Sequence, residues 1–296
     1  MTVETTRPTL ALHSCRQTVT QHTIPRLAHF VFGLRPQVEP FHLVHYLALA
    51  SCIAVAAPEE VYVHYHHLPY GFYWDLIRPR VVLHQVDTVD QVTTFAYDPF
   101  TARFAYAHHA DFVRLDVLSR WGGLYADIDT LFLEPVPEHY WNAPAVIGRE
   151  ADVDPGTGRL RGSLSNALLM SRPGGAFVDE WRTRMVPAFD GSWSAHSCLL
   201  AHDVATDMPD DVLVAPRRAF HEFEPTTAGL RRLLVDAPTN VDGIASVHLM
   251  AHLWWDESRR DFLDLHAREI NEHWVRDVDT TYGVAARPFL PQHGEF

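Results

Sequence analysis

Lysine is absent from this 296-residue chain; all 24 basic residues are arginine. That absence removes several chemistries at once. No lysine can grip a phosphate in a P-loop, form a Schiff base with pyridoxal phosphate, or serve as an amine nucleophile. Cysteine is scarce: Cys15, Cys52 and Cys198 are odd in number and far apart. With no Cys-x-x-Cys, they predict buried thiols in a reducing compartment rather than a disulfide frame or a zinc site. Positive charge is also in short supply, since 37 acidic side chains leave a formal charge of −13. A nucleic-acid or anionic-membrane partner normally asks for the opposite balance, so neither is expected. Any phosphate must be held locally, by metal, arginine or backbone amides. Long apolar runs are missing too. The longest, Leu43 to Pro58, carries His45 and Ser51 and is too short to span a bilayer, so it reads as a buried helix. The first twenty residues are polar and lack the apolar core of a signal peptide. An irregular leader over 1–23 and a cytoplasmic location are the expectations.

What is present has the pattern of an α/β protein. Ile24 to Gly33 reads as a strand that ends in glycine, and Pro40 to Ala57 as a helix stopped by Pro58. Strands follow at Val61–Tyr65 and 81–86, with a short helix over 70–77 between them. A helix over 100–121 and a strand over 124–128 complete a β-α-β-α-β alternation, the signature of a largely parallel sheet. Further on, strands are expected at 146–148, 164–170, 212–214 and 246–249. Helices are expected at 175–189 and 257–275, the last as a packed amphipathic cap. The Gly- and Asp-rich segment 152–162 reads as a surface hairpin. No repeat or linker-like composition shift divides the chain, so one domain over 24–296 is expected. Its halves would be a nucleotide-binding 24–130 and a more irregular 131–296.

The chemistry concentrates in 107–134, AHHADFVRLDVLSRWGGLYADIDTLFLE. Asp111 and Arg114 stand at i and i+3, on one helical face, ahead of the Gly122-Gly123 pair. Asp127 and Asp129 then end a strand, and a period of two starts their side chains on the same side. Two hard oxygen donors at a strand end suit Mn²⁺ or Mg²⁺, and that cation in turn suits a diphosphate. Asp111–Arg114 read alone could equally be a surface ion pair of little worth. The twenty histidines match no compact zinc spacing and read mostly as surface or satisfied polar groups.

Taken together, the Asp-x-x-Arg helix, the Gly-Gly pair and Tyr125-Ala126-Asp127-Ile128-Asp129 resemble the glycosyltransferases with a DXD-containing sugar-binding region. That family includes yeast-type mannosyltransferases, bacterial capsule transferases and clostridial glucosylating toxins. The resemblance extends to Ile24-Pro25-Arg26 with His29–Gly33, where Phe32 replaces the usual base-stacking tryptophan. It also takes in Asn166–Ser171 with Pro173-Gly174, and more loosely 245–258 with Ala251-His252-Leu253-Trp254-Trp255. It implies a GT-A fold: a Rossmann-like, mostly parallel sheet flanked by helices, with an irregular C-terminal acceptor subdomain.

The roles below are what the resemblance implies. Asp129 is the principal metal ligand, Asp127 supports the metal and touches the donor ribose or sugar, and His252 is a further ligand for which His248 competes. Asp111 and Arg114 hold hydroxyls of the transferred sugar, with Arg114 near the diphosphate and Asn166 beside the sugar pocket. Val31, Phe32 and Tyr125 line the nucleoside, and Trp254 or Trp255 covers the leaving phosphate. The reaction implied is retaining transfer of a hexose or N-acetylhexosamine from a nucleoside-diphosphate sugar, UDP favoured and GDP possible, to a hydroxyl. The acceptor stays open among a glycan, a small molecule, a lipid-linked sugar and a protein. Two rivals stand beside this reading. One is a non-catalytic sugar-nucleotide binder on a degenerate transferase fold. The other is a phosphohydrolase using Asp127-Ile128-Asp129-Thr130 with Asp210-Asp211, which the missing lysine disfavours.

Overall fold

The computed structural model describes residues 23–99, 101–255 and 263–292. Its centre is a seven-stranded sheet built from β1 (Leu27–Val31), β2 (Glu60–Tyr65), β3 (Val82–Gln85), β4 (Gly123–Ala126), β6 (Ala145–Arg149), β7 (Leu164–Ser171) and β8 (Leu213–Ala215). The spatial order is β3-β2-β1-β4-β7-β6-β8. Strands β3, β2, β1 and β4 run parallel, β7 is antiparallel to both its neighbours, and β8 is parallel to β6. This is the mixed, mostly parallel α/β sheet that the alternation predicts. A second, two-stranded sheet pairs β5 (Thr130–Phe132) with β9 (Ser246–His248) antiparallel.

Alternation along the strands sends side chains into two separate cores. Ala28, Phe30, Leu124, Ala126, Leu168 and Met170 face one side, against α1 (Leu43–Ser51) and α2 (Phe72–Ile77). Val31, Tyr125, Ile147 and Leu169 face the other, against α3 (Ala105–Trp121), α4 (Ala176–Ala188) and α5 (Leu200–Asp207). The apolar run at Leu43 is the buried helix its sequence predicts; it extends as a wider π turn over Cys52–Ala56 and stops at left-handed Ala57, before Pro58. Among the described residues no helix is long and apolar enough to cross a membrane.

Two expectations need correction. Strand β4 stops at Ala126, so Asp127 and Asp129 lie in a turn and not on a strand. The Thr130 amide donates to Asp127 O across 3.0 Å and closes that turn, which carries the chain from the large sheet into the small one. The cap helix over 257–275 is not continuous. Residues 257–262 lie outside the described residues, as does most of the 1–23 leader; the rest holds a single 3₁₀ turn, Ala267–Glu269, and a short helix, Glu272–Asp277. Among the described residues eight histidines are buried: His29, His64, His108, His109, His196, His221, His248 and His266. Four of these, His108, His196, His221 and His266, leave one ring nitrogen without a hydrogen-bond partner.

Candidate active site

Helix α3 supplies the first half of the site. Its Asp111 and Arg114 face the sheet and are nearly inaccessible, at 6% and 4% exposure, so they are not a solvated surface pair. The Arg114 guanidinium lies 3.0 Å from Asp111 Oδ1 and 3.4 Å from Asp127 Oδ1, and it covers the Tyr125 ring at 4.6 Å. It also donates to the Asn166 carbonyl. Asn166, on β7, donates from Nδ2 to Asp111 Oδ1 at 2.7 Å, and the Tyr125 hydroxyl donates to Asp127 Oδ1 at 2.7 Å. Four positions singled out from sequence, on three elements and a turn, therefore share one arginine.

The Gly-Gly pair makes this convergence possible. Gly122 and Gly123 have φ of 65° and 107°, where side chains are strongly disfavoured. A Cβ on Gly123 would come within 2.6 Å of Leu27 O, and one on Gly122 within 2.6 Å of the Pro173 ring. Only a chain without side chains here can end α3 and enter β4 at once, placing Tyr125 beneath Arg114.

The second half comes from the far end of the chain. The β5–β9 register sets Thr130 opposite His248. His248 Nε2 then lies 3.0 Å from Asp129 Oδ1 and 3.7 Å from Asp127 Oδ2, spanning both carboxylates. The Ala251 amide donates to Asp129 Oδ2 at 2.7 Å, and the Leu249 amide to Asp129 O at 3.2 Å. Met250 between them takes the left-handed conformation (φ 49°), a strained geometry for a non-glycine residue.

Burial and charge pull these groups in opposite directions. Burial alone would push Asp111 and Asp129 up, but Arg114 and His196 outweigh it at Asp111 and His248 at Asp129, and both end below the ordinary carboxylate range. Asp127 ends above it, since burial prevails over Arg114 and His248 and the Asp129 charge adds to it. Burial would depress His248, but Asp129 and Asp127 raise it.

The remaining candidates fall elsewhere. Phe32 packs edge-on to Phe41 and 4.8 Å from His45, and Trp255 stacks on that histidine, nearly parallel at 5.5 Å. Trp255 Nε1 also donates to Glu39. Val31 is buried in the α3-side core. Trp254 is fully buried and donates to Leu249 O, supporting the segment that wraps Asp129. His252 stacks on Trp193 with 5.0 Å between ring centroids. Asp210 and Asp211 lie in the turn after α5.

Sequence reasoning missed two contributors. His196, fully buried, donates from Nε2 to Asp111 Oδ2 at 2.9 Å. Exposed Arg35 covers the Tyr106 ring at 4.2 Å, and the Tyr106 hydroxyl feels both Asp127 and Asp129. Neither lies in a spacing pattern that marks it: His196 sits in a π-helical turn, Ala195–Leu199, far along the chain from Asp111, and Arg35 in a loop.

Among the described residues no group of three or more His, Cys, Asp or Glu side chains is already gathered to hold a metal ion. The donor set still suits one by its chemistry. One buried and one partly buried carboxylate, Asp129 and Asp127, face one imidazole, and Asp127 keeps part of its side chain exposed.

Comparison with known proteins agrees with this geometry. Residues 71–150 match the family model described as glycosyltransferase sugar-binding region containing DXD motif. The chain is 30% identical over 275 residues to glucan organizing enzyme 1 of Cryptococcus neoformans var. grubii serotype A, covering 90% of this chain and 71% of that protein. It is also similar to two solved structures. LgtC shows 16% identity at a TM-score of 0.43, over 75% of this chain and 86% of that one. The glycosyltransferase GlyE of Streptococcus pneumoniae shows 9% identity at 0.46, over 88% and 60%. The chain belongs to the glycosyltransferases with a DXD-containing sugar-binding region. It is an enzyme of that class, built on a mixed α/β fold with a seven-stranded, mostly parallel sheet flanked by helices.

Proposed function

We propose that this enzyme is a metal-dependent, retaining glycosyltransferase that moves a hexose or N-acetylhexosamine from a nucleoside-diphosphate sugar to a hydroxyl acceptor. UDP-sugars are favoured over GDP-sugars. The observation that carries the reading is the single Arg114 guanidinium shared by Asp111, Asp127 and Asn166, one turn from the Asp129–His248 pair. Cleavage of the sugar–phosphate bond leaves a nucleoside diphosphate, and the site must stabilise that growing negative charge.

Asp129 and Asp127 would hold a Mn²⁺ or Mg²⁺ ion, with His248 better placed than His252 to join them. Such an ion supplies charge neutralisation at the diphosphate. Arg114 is kept fully charged by its carboxylate partners and offers a fixed cation for the same oxygens. Asp111 and the Asn166 amide are held by each other, which suits them to orient hydroxyls of the transferred sugar without reorganisation. Phe32 and Trp255, joined through His45, offer flat surfaces at the nucleoside side. For retention, the departing phosphate would help remove the acceptor proton on the same face.

The test is release of nucleoside diphosphate from a panel of UDP- and GDP-sugars with Mn²⁺ present and then chelated. Release that depends on the ion supports the proposal. Tight binding of one donor with no turnover would convert it to a binding module. Phosphate release from simple phosphomonoesters would convert it to a hydrolase.

A further inference from the structure

Of the eight tryptophans, Trp193 is the one whose side chain is strongly exposed, at 45%. An exposed indole is costly to leave in water, and this one is also held rigid. One face is covered by His252, stacked at 5.0 Å with an interplanar angle of 26°. Phe104 meets the ring in an edge contact at 5.3 Å, and His108 approaches at 6.4 Å. The backbone is fixed as well, since the Ser197 hydroxyl donates to the Trp193 carbonyl at 3.2 Å.

Its neighbours tie the ring to both halves of the site. His252 belongs to the segment that wraps Asp129, and its charge bears on that carboxylate. Three residues beyond Trp193, His196 grips Asp111, and His196 in turn packs against His108 at 5.1 Å. The indole therefore spans from the sugar-side cluster to the metal-side cluster, at the exposed edge of both.

We infer that Trp193, backed by His252, is the stacking platform for the acceptor sugar, and that the acceptor is the end of a glycan chain. This inference rests on the transferase reading above. A pyranose has a flat apolar face of C–H groups and a polar rim, the ligand shape that a half-exposed, rigid aromatic ring recognises. The donor sugar is not the occupant that fits. Its hydroxyls would find Asp111, Arg114 and Asn166, all polar and deeper in the protein, whereas Trp193 stands outside them.

Two measurements test the platform on the full chain. Saturation-transfer NMR with maltotriose, laminaritriose and mannotriose reads sugar contact without any turnover. At least one trisaccharide should show transfer to the C–H protons of its terminal ring, lost in Trp193→Ala and kept in Trp193→Tyr. Absence of transfer for all three in the wild type, or unchanged transfer in Trp193→Ala, would overturn the inference. In the transfer assay, with the donor identified by nucleoside diphosphate release, Trp193→Ala should raise acceptor KM tenfold or more. Donor KM should shift less than twofold. A donor KM that rises in step with acceptor KM would assign the ring to the donor and overturn the proposal. If no donor is turned over, the transferase reading fails while the NMR result still decides whether Trp193 stacks a sugar.

Discussion

Helix α3 touches two buried polar clusters, and they solve the problem of burial in opposite ways. Near its middle, Asp111 and Arg114 stay ionised, because Asp127, Asn166 and His196 surround them with charge and hydrogen bonds. At its C-terminal end, Trp121 stacks over His29, Tyr62 and His64, where the polar groups form a neutral chain. The order of protons in that chain can be deduced. His29 Nε2 lies 2.9 Å from Gly122 O and must donate to it, so His29 Nδ1 accepts from His64 Nε2 at 3.0 Å. His64 Nδ1 then accepts from His84 Nδ1 at 3.1 Å. An extra proton on His29 or His64 would place a charge inside this buried stack, where the neighbouring histidines repel it. Burial accordingly lowers His29 to about 4 and His64 to about 2. One cluster keeps charge ready for a charged ligand, while the other anchors the Gly122 turn and resists charge by burial.

The comparison can be broken most forcefully at Arg114. Arg114→Met leaves Asp111 and Asp127 buried without their shared cation, and unfolding free energy should fall by about 3–5 kcal/mol. Denaturant titration measures it, and a loss under 1 kcal/mol would mean that His196 and His248 suffice. Asp129→Asn should lower metal-dependent kcat by about 10³-fold, several kcal/mol of leaving-group stabilisation, with the far-UV spectrum unchanged. Near-normal turnover would remove Asp129 from the ligand set.

Acid separates the two clusters. The unfolded chain takes up protons below pH 6.5 that His29 and His64 refuse in the fold. Their stabilisation is complete above 6.5 and is lost as pH falls towards 4, by up to about 1.4 kcal/mol per pH unit for each histidine. His45 and His221, both lowered to about 3, add in the same direction. Asp111 and Asp129, depressed, hold their contribution until the pH falls below about 4. A stability curve flat between pH 6.5 and 5 would contradict the neutral chain. The smallest effect sharpens the same contrast: His64→Phe keeps the ring but leaves His29 Nδ1 without a donor. It should cost about 1–3 kcal/mol at pH 8 and flatten the slope between pH 6.5 and 4.

Much of this site is legible in the residues themselves. The i,i+3 spacing of Asp111 and Arg114, the Gly-Gly pair and the Asp-x-Asp are local patterns, each bound to a local geometry. What failed did so for reasons of distance along the chain. Asp127 and Asp129 face the same imidazole through a turn and not through strand alternation, since β4 ends at Ala126, before both of them. His196 and His248 are separated from Asp111 and Asp129 by 85 and more than 100 residues, so no window contains both partners. The neutral histidine chain was invisible because His29, His64 and His84 lie on three strands whose register alone aligns them.

The sequence by itself determined the class of chemistry: no lysine, no cysteine framework, and a helix–glycine–aspartate pattern whose spacing is enforced by backbone sterics. Tertiary structure decided the rest. It chose His248 over His252 as the neighbour of both aspartates through the β5–β9 register, and it made Asp111–Arg114 a buried pair. It also left Trp193 as the exposed tryptophan beside them. Such assignments depend on burial and on contacts between distant segments, which short-range spacing does not encode.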